Sequence, residues 1–185
     1  MSDDEGRFSF IDDEILRQNL NQVFSDIVDF TSIMDGFNEE SIQINFRRAV
    51  ILYTAAIIEA LLHYIVEKKV DPLEFEEDEW RFDGDVHVFH RYQDEDGRDI
   101  QVVCGRRFKK KIPITRGTQF KTMIKVSNEH SLITDSLAQE IDKIRKLRNR
   151  IHLASLDDIE KKYTKPILNN VFEIARKVVK VAQKL

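Results

Sequence analysis

Hydrophobic residues recur at helical spacing in the first 70 residues and predict two long helices. The first covers about residues 12–34, and its apolar stripe consists of Leu16, Leu20, Val23, Phe24, Ile27, Phe30 and Met34. The second covers about residues 39–69 and is apolar nearly all round between Arg48 and Val66. A helix of this kind packs on several sides, so we expect it at the centre of the fold.

Helical spacing returns after residue 118. A short helix is expected around residues 120–127, and a longer one begins at Thr134 or Ser136 and continues to about Leu153. A last helix follows Thr164, which suits an N-cap, and carries a proline in its first turn, where proline is tolerated. The sequence therefore predicts four principal helices and one short helix.

The segment between the two helical halves has a strand-like pattern. Val86–Tyr92 and Ile100–Cys104 flank a turn at Asp94–Gly97 and predict a β-hairpin. Phe108–Ile114 is a candidate third strand, whereas residues 74–79 are expected to form an acidic loop.

The predicted fold class is mainly α: a bundle of four to five helices with a small β-hairpin insertion between the second and third principal helices. The 185 residues suit a single domain, with residues 1–10 as a mobile acidic lead-in and residues 82–114 as the insertion. Glycine (6 residues) and proline (3 residues) are scarce, which disfavours a turn-rich β-sandwich.

Charge is unevenly distributed along the chain. The net charge is only −4, but residues 1–100 carry 9 Lys and Arg against 25 Asp and Glu, and residues 101–185 carry 20 against 8. This asymmetry indicates a charge match within or between chains, a nucleic-acid-facing half, or both. The cations around Phe108 form either a solvated strand that protects a sheet edge or a surface for a phosphate backbone. The candidate nucleic-acid-binding residues are Arg106, Arg107, Lys109, Lys110, Lys111 and Arg150.

Several classes of function are disfavoured. The lone Cys104 excludes an intrachain disulfide and a Cys-rich zinc site, and a reducing cytoplasm is the simplest location. The chain lacks the glycine-rich phosphate loops and the nucleophile elbow. Polar residues interrupt Ala49–Val66, so no apolar run approaches the roughly 18 residues that span a bilayer. We therefore expect no metal, no cofactor and no membrane contact.

The most informative stretch is Ile144–Leu153. At about 100° per residue, Arg145, Arg148 and His152 share one face of a helix, beside its apolar stripe, and Asn149 flanks them. A histidine can act as general acid or base near neutral pH, and arginines bind phosphate through two parallel hydrogen bonds. These residues are compatible with a metal-free phosphodiester site. Alternatively, they form a solvated face or pack against acidic residues.

A second feature is Glu59, which lies in the apolar middle of the second predicted helix. A lone buried carboxylate is costly unless it is paired, so we expect a basic partner among Arg145, Arg148 and His152. Such a contact would fit a structural salt bridge and equally a carboxylate that orients the arginine and the histidine.

These residues resemble a motif of the HEPN superfamily, the higher eukaryotes and prokaryotes nucleotide-binding domains. The family motif is an Arg, four to six residues and then a His, and Arg145 to His152 fits this spacing. The Arg of the motif is usually followed by Asn, Asp or His, and Arg148-Asn149 supplies such a pair. Many members carry an acidic residue in the upstream helix, as Ala55–Leu62 does here. The resemblance covers roughly residues 40–70 and 118–185.

The resemblance implies a bundle of four or five helices, and in many members a metal-independent endoribonuclease. It also implies a homodimer whose two motif helices meet to form a composite site. Arg145, Arg148 and His152 would then bind and activate the scissile phosphodiester of RNA, with Asn149 and Glu59 as orienting residues. We expect a cytoplasmic enzyme of stress response, toxin–antitoxin or antiviral systems, with a protein partner or an antitoxin as a further candidate partner. The alternative is a non-catalytic HEPN-like module that binds nucleotide, nucleic acid or a protein partner.

Overall fold

The computed structural model describes residues 6–71, 76–81, 88–103, 106–111, 113–115, 117–150 and 163–185. Within these ranges the chain forms five α-helices and four β-strands, so the predicted mainly α class is confirmed. The residues cluster into two compact units, one from residues 1–70 and 116–185 and the other from residues 71–115. The helices belong to the first unit and the strands to the second.

Helix α1 spans Glu14–Met34 and follows a packed turn. Asp13 caps the helix, because its Oδ1 accepts a hydrogen bond from the Leu16 N–H at 3.0 Å. Ahead of it, Phe8 is only 2% exposed and its ring meets that of Phe24 edge-on at 6.3 Å. Residues 6–10 are therefore packed against the bundle rather than a loose lead-in, since aromatic burial holds them there. Residues 1–5 of the predicted lead-in lie outside the described part.

Helix α2 spans Glu40–Lys69 and is the central helix, as predicted. It contacts all four other helices. Fully buried side chains along its length form the core of the bundle, and they include Val50, Ile51, Ile58, Leu61, Leu62, Ile65 and Val66. Because neighbours surround α2, it needs apolar residues on nearly every face.

The composition of α2 also meets the criteria for a membrane-crossing helix. Its most apolar 18-residue window has a mean hydropathy of 1.9, so the expectation that no segment approaches that limit was wrong. The core helix of a soluble protein meets the same criteria, and 61% of the window is buried inside the fold. Burial by neighbouring helices accounts for this hydropathy equally well.

Three helices complete the first unit: α3 spans Phe120–Glu129, α4 spans Asp135–Asn149 and α5 spans Lys165–Ala182. Of the two predicted caps for α4, Thr134 is the one used, since its side chain accepts from the Leu137 N–H. Arg150 is the C-cap of α4. The predicted continuation of this helix to Leu153 lies outside the described residues.

In the second unit, strands β2 (Val88–Gln93) and β3 (Asp99–Val103) form the predicted antiparallel hairpin. The turn between them is held by Asp94, whose Oδ1 accepts from the N–H groups of Asp96 and Arg98. Gly97 has φ +77°, a left-handed conformation that glycine adopts without steric cost.

The other two strands, β1 (Glu76–Arg81) and β4 (Arg106–Lys111), pair with each other. The prediction of an acidic loop at residues 74–79 was therefore wrong for residues 76–79, which belong to β1. The strands also begin before residue 82, where the insertion was predicted to start. A run of carboxylates repels itself, but the register places Glu76, Glu77 and Asp78 opposite Lys111, Lys110 and Lys109. Opposite charges on paired strands favour pairing. The basic partner strand β4 therefore explains why the acidic residues of β1 form a strand, which their own sequence does not predict.

Candidate functional site

The predicted Arg/Glu constellation lines an open cleft of about 510 Å³ in the helical unit. Helices α2, α3 and α4 form its walls. The lining residues are Leu52, Glu59, Gln119, Phe120, Lys121, Arg145, Arg148 and Asn149. Four of the five predicted catalytic residues therefore meet at one surface, and the fifth, His152, lies outside the described residues.

Glu59 and Arg148 form the ion pair that the sequence predicted. One guanidinium nitrogen of Arg148 donates to Glu59 Oε2 at 2.5 Å. The pair is only partly buried, with 36% of the Arg148 side chain and 23% of the Glu59 side chain exposed. The guanidinium also lies 5.9 Å from the centre of the Phe120 ring. Since an arginine carries five N–H donors, this geometry fixes the orientation of Arg148 and leaves donors for an anion in the cleft.

Arg145 is held by a different carboxylate. Its Nε donates to Asp142 Oδ1 at 2.7 Å, one turn earlier on α4, and Lys146 binds the other oxygen of that carboxylate at 2.8 Å. Partial burial raises the pKa of Asp142, but the hydrogen bonds from Lys146 and Arg145 outweigh burial and hold that pKa below its ordinary value. Asp142 therefore stays ionised at neutral pH and fixes Arg145 at the cleft wall.

The N-terminal turn of α3 contributes a part of the cleft that the sequence did not reveal. Gln119 is the N-cap, and its side chain makes no capping hydrogen bond. The first N–H groups of a helix have no partner within it and carry partial positive charge, which favours an anion. Lys121, an exposed residue of the same turn, adds a full positive charge. The only sign in the sequence that Lys121 belongs to the site was its position at the start of a predicted helix. A lysine at such a position forms no distinctive motif.

The end of α4 is tied to the start of α5 through Tyr163. This residue is only 1% exposed, and its hydroxyl donates to the Leu147 carbonyl at 3.4 Å. Its own carbonyl accepts from Nε of the buried Arg47 at 2.6 Å. Arg150 is exposed and does not line the cleft. Tyr163 thus joins α4 to the start of α5.

The cationic residues predicted to bind nucleic acid, Arg106, Arg107 and Lys109–Lys111, lie on β4 of the second unit. The register places three of these five cations opposite carboxylates of β1, and Arg107 and Arg106 opposite Trp80 and Arg81. Contact of β4 with nucleic acid stays a prediction.

The chemistry of the cleft is that of an anion site. Three cationic side chains and one carboxylate line it, and the amide of Asn149 adds a neutral donor. Among the residues that the structure describes, no three His, Cys, Asp or Glu side chains are grouped to hold a metal ion. A phosphate group suits the planar guanidinium donors of Arg145 and Arg148.

Comparisons of the chain with models of protein families, with curated proteins and with solved structures find no match.

Proposed function

We propose that this protein is a metal-independent endoribonuclease of the HEPN type, and that it binds the scissile phosphodiester of RNA in the Arg145/Arg148 cleft. The observation that carries the proposal is the convergence of two carboxylate-oriented arginines with the N-terminal turn of α3 in one open cleft. Two such guanidinium groups can stabilise the charge that develops on a phosphorane. The proposal places the protein in the cytoplasm and in stress, toxin–antitoxin or antiviral systems.

In the proposed reaction, the 2′-hydroxyl of RNA attacks the adjacent phosphorus and the bond to the 5′-oxygen breaks. One acid–base group takes the proton of the 2′-hydroxyl and another returns a proton to the leaving oxygen. His152 is the proposed acid–base residue in each chain, since a histidine exchanges protons near neutral pH. Arg145 and Arg148 bind the phosphate oxygens, and Glu59 and Asn149 position them. A homodimer would supply two histidines to a composite site.

The second candidate is a non-catalytic module that binds nucleotide, nucleic acid or a protein partner. The observation that favours it is the pairing of both arginines, Arg148 with Glu59 and Arg145 with Asp142. Each carboxylate cancels part of the positive charge at the cleft. Such a cleft binds an anion reversibly without any acid–base residue, so this alternative predicts salt-sensitive retention of RNA without cleavage.

Incubation of the purified chain with mixed RNA in EDTA tests the enzyme proposal. We expect fragments that end in 2′,3′-cyclic phosphate, and a loss of about 10²–10⁴ in rate for His152→Ala, because a positioned acid–base group contributes about that much. His130→Ala is the matched control, since His130 is exposed at the end of α3 and does not line the cleft.

The outcomes separate the candidates. Absence of cyclic phosphate products from the wild type contradicts the enzyme proposal. RNA that is retained intact, with retention reduced in Arg148→Gln, supports the binding module instead. Cleavage that persists in His152→Ala means that another residue supplies the acid–base chemistry.

A further inference from the structure

The helical unit contains a second cavity that the proposed function does not use. It has a volume of about 560 Å³ and lies between α1, α2, α5 and the turn at Arg7–Phe8. This volume is within the range of small-molecule sites, about 300–1,000 Å³. None of its lining residues belongs to the RNA cleft.

The floor and walls of this cavity are apolar. Phe8, Ile27 and Ile57 at the floor are each at most 5% exposed. The half-buried apolar side chains that complete the walls are Phe24, Phe172, Ala175 and Val179. A ligand that fills the interior must therefore present an apolar body.

The two threonines of the wall do not add free polar groups. The hydroxyl of Thr31 donates to the Ile27 carbonyl at 2.7 Å, and that of Thr54 donates to the Val50 carbonyl at 2.7 Å. Each hydroxyl is thus engaged by the preceding turn of its own helix. The interior offers a ligand little beyond apolar contact.

The rim, by contrast, is cationic. Arg7, Arg176 and Lys180 line the cavity and are exposed, and none of its described lining residues is an Asp or Glu. The Arg7 guanidinium lies over the Phe24 ring, 4.3 Å from its centre, which holds this charge at the mouth. Arg176 has one hydrogen bond to Glu173 at 2.5 Å, but both side chains are more than half exposed, so this pair is weak.

We propose that this cavity binds an amphipathic anion, with one acyl chain of the ligand between α1, α2 and α5 and its acidic head at Arg7, Arg176 and Lys180. The change from an apolar floor to a cationic rim selects this class over a neutral hydrocarbon or a polar metabolite. A free fatty acid and an anionic membrane lipid share this chemistry.

Fluorescence titration with a dansyl-labelled undecanoic acid, and its displacement by monomeric dodecanoate, tests the proposal. We expect saturable binding to the full chain, with displacement by dodecanoate and much weaker displacement by dodecanol. The double variant Arg176→Gln/Lys180→Gln should weaken dodecanoate binding by about threefold to tenfold, as expected for exposed charge pairs. Lys177→Gln is the matched control, because Lys177 binds Glu140 at 2.7 Å and does not line the cavity.

Ala175→Trp fills the cavity from α5 and should abolish binding while circular dichroism shows the helical content of the wild type. Flotation with phosphatidylglycerol vesicles distinguishes the sources: flotation lost in Ala175→Trp assigns the lipid headgroup, and its absence together with dodecanoate binding assigns the free acid. Probe binding that is equal in Ala175→Trp, or equal displacement by dodecanol, overturns the proposal. A dimer that Ala175→Trp dissociates also overturns it, since a second copy would then occupy the cavity.

Discussion

Two arginines of the helical unit, Arg47 and Arg148, both pair with carboxylates, yet their surroundings differ. The Arg47 side chain is 5% exposed and donates to three acceptors: the Tyr163 carbonyl, Gln43 and Glu40. The Arg148 side chain is 36% exposed, and the described residues offer it one hydrogen-bond acceptor, Glu59. Arg47 thus joins α2 to the start of α5, whereas Arg148 keeps donors available at a cleft.

The difference shows that pairing alone does not distinguish a structural arginine from a functional one. What distinguishes them is the share of donors that the protein itself satisfies, together with the exposure of the rest. A buried arginine whose donors are engaged stabilises the fold, and its loss leaves its acceptors unpaired. An oriented, partly exposed arginine with spare donors is suited to an incoming anion.

The largest effect is expected from Arg47→Met. This substitution keeps much of the apolar stem but leaves the buried Tyr163 carbonyl and Gln43 without their donor. We expect a loss of about 2–4 kcal/mol in the free energy of unfolding, measured by urea denaturation. Arg48→Met is the control, because the Arg48 guanidinium lies 5.6 Å from the centre of the Tyr163 ring and its Nε has no hydrogen-bond partner among the described residues. A cost of about 0.5–1 kcal/mol is expected there, and equal losses would contradict the structural role of Arg47.

An intermediate effect is expected from a double-mutant cycle on Glu59 and Arg148. Glu59→Gln, Arg148→Gln and the double variant should give a coupling of about 0.5–1.5 kcal/mol in the free energy of unfolding, since the pair is close but partly solvated. RNA binding in the same variants separates the two roles of Glu59. If Glu59 positions Arg148, Glu59→Gln weakens RNA binding and cleavage. Stronger RNA binding in Glu59→Gln would instead show that the carboxylate only neutralises the arginine.

The helices could be predicted from the sequence because their signals are local. The stripe on α1, the all-round apolar face of α2 and the Thr134 cap of α4 lie within a few residues of the elements they specify, whereas the side chain of Thr164 at the start of α5 makes no capping hydrogen bond. Strand β1 could not be predicted in this way. Its acidic residues pair in register with Lys109–Lys111, about 30 residues later in the chain, and that pairing is not visible in either segment alone.

The candidate site likewise has features that the local sequence predicts and features that depend on how the helices pack. The Glu59–Arg148 pair could be expected because a carboxylate in an apolar helix needs a cation and α4 offered one. The contributions of Gln119 and Lys121 could not, since they depend on where the end of α3 lies in the bundle. The sequence also did not show which cation would pair with Glu59. Arg145 pairs with a carboxylate on its own helix instead.

The smallest effect is expected at the phenol of Tyr163, where the Arg47 contact meets the end of α4. Burial raises the pKa of this phenol above 10.0, although the positive charges of Arg48 and Arg150 oppose the shift. A raised pKa in the folded state means that this group's contribution to stability is complete below pH 10 and is lost as the pH rises through the folded pKa. Tyr163→Phe should therefore be less stable than the wild type by about 0.5–1 kcal/mol at pH 8, and the difference should shrink in alkaline solution.

Urea denaturation from pH 8 to pH 11 measures this difference, with Tyr92→Phe as the exposed control. A difference between wild type and Tyr163→Phe that stays constant across this range would contradict the raised pKa of this phenol in the folded state.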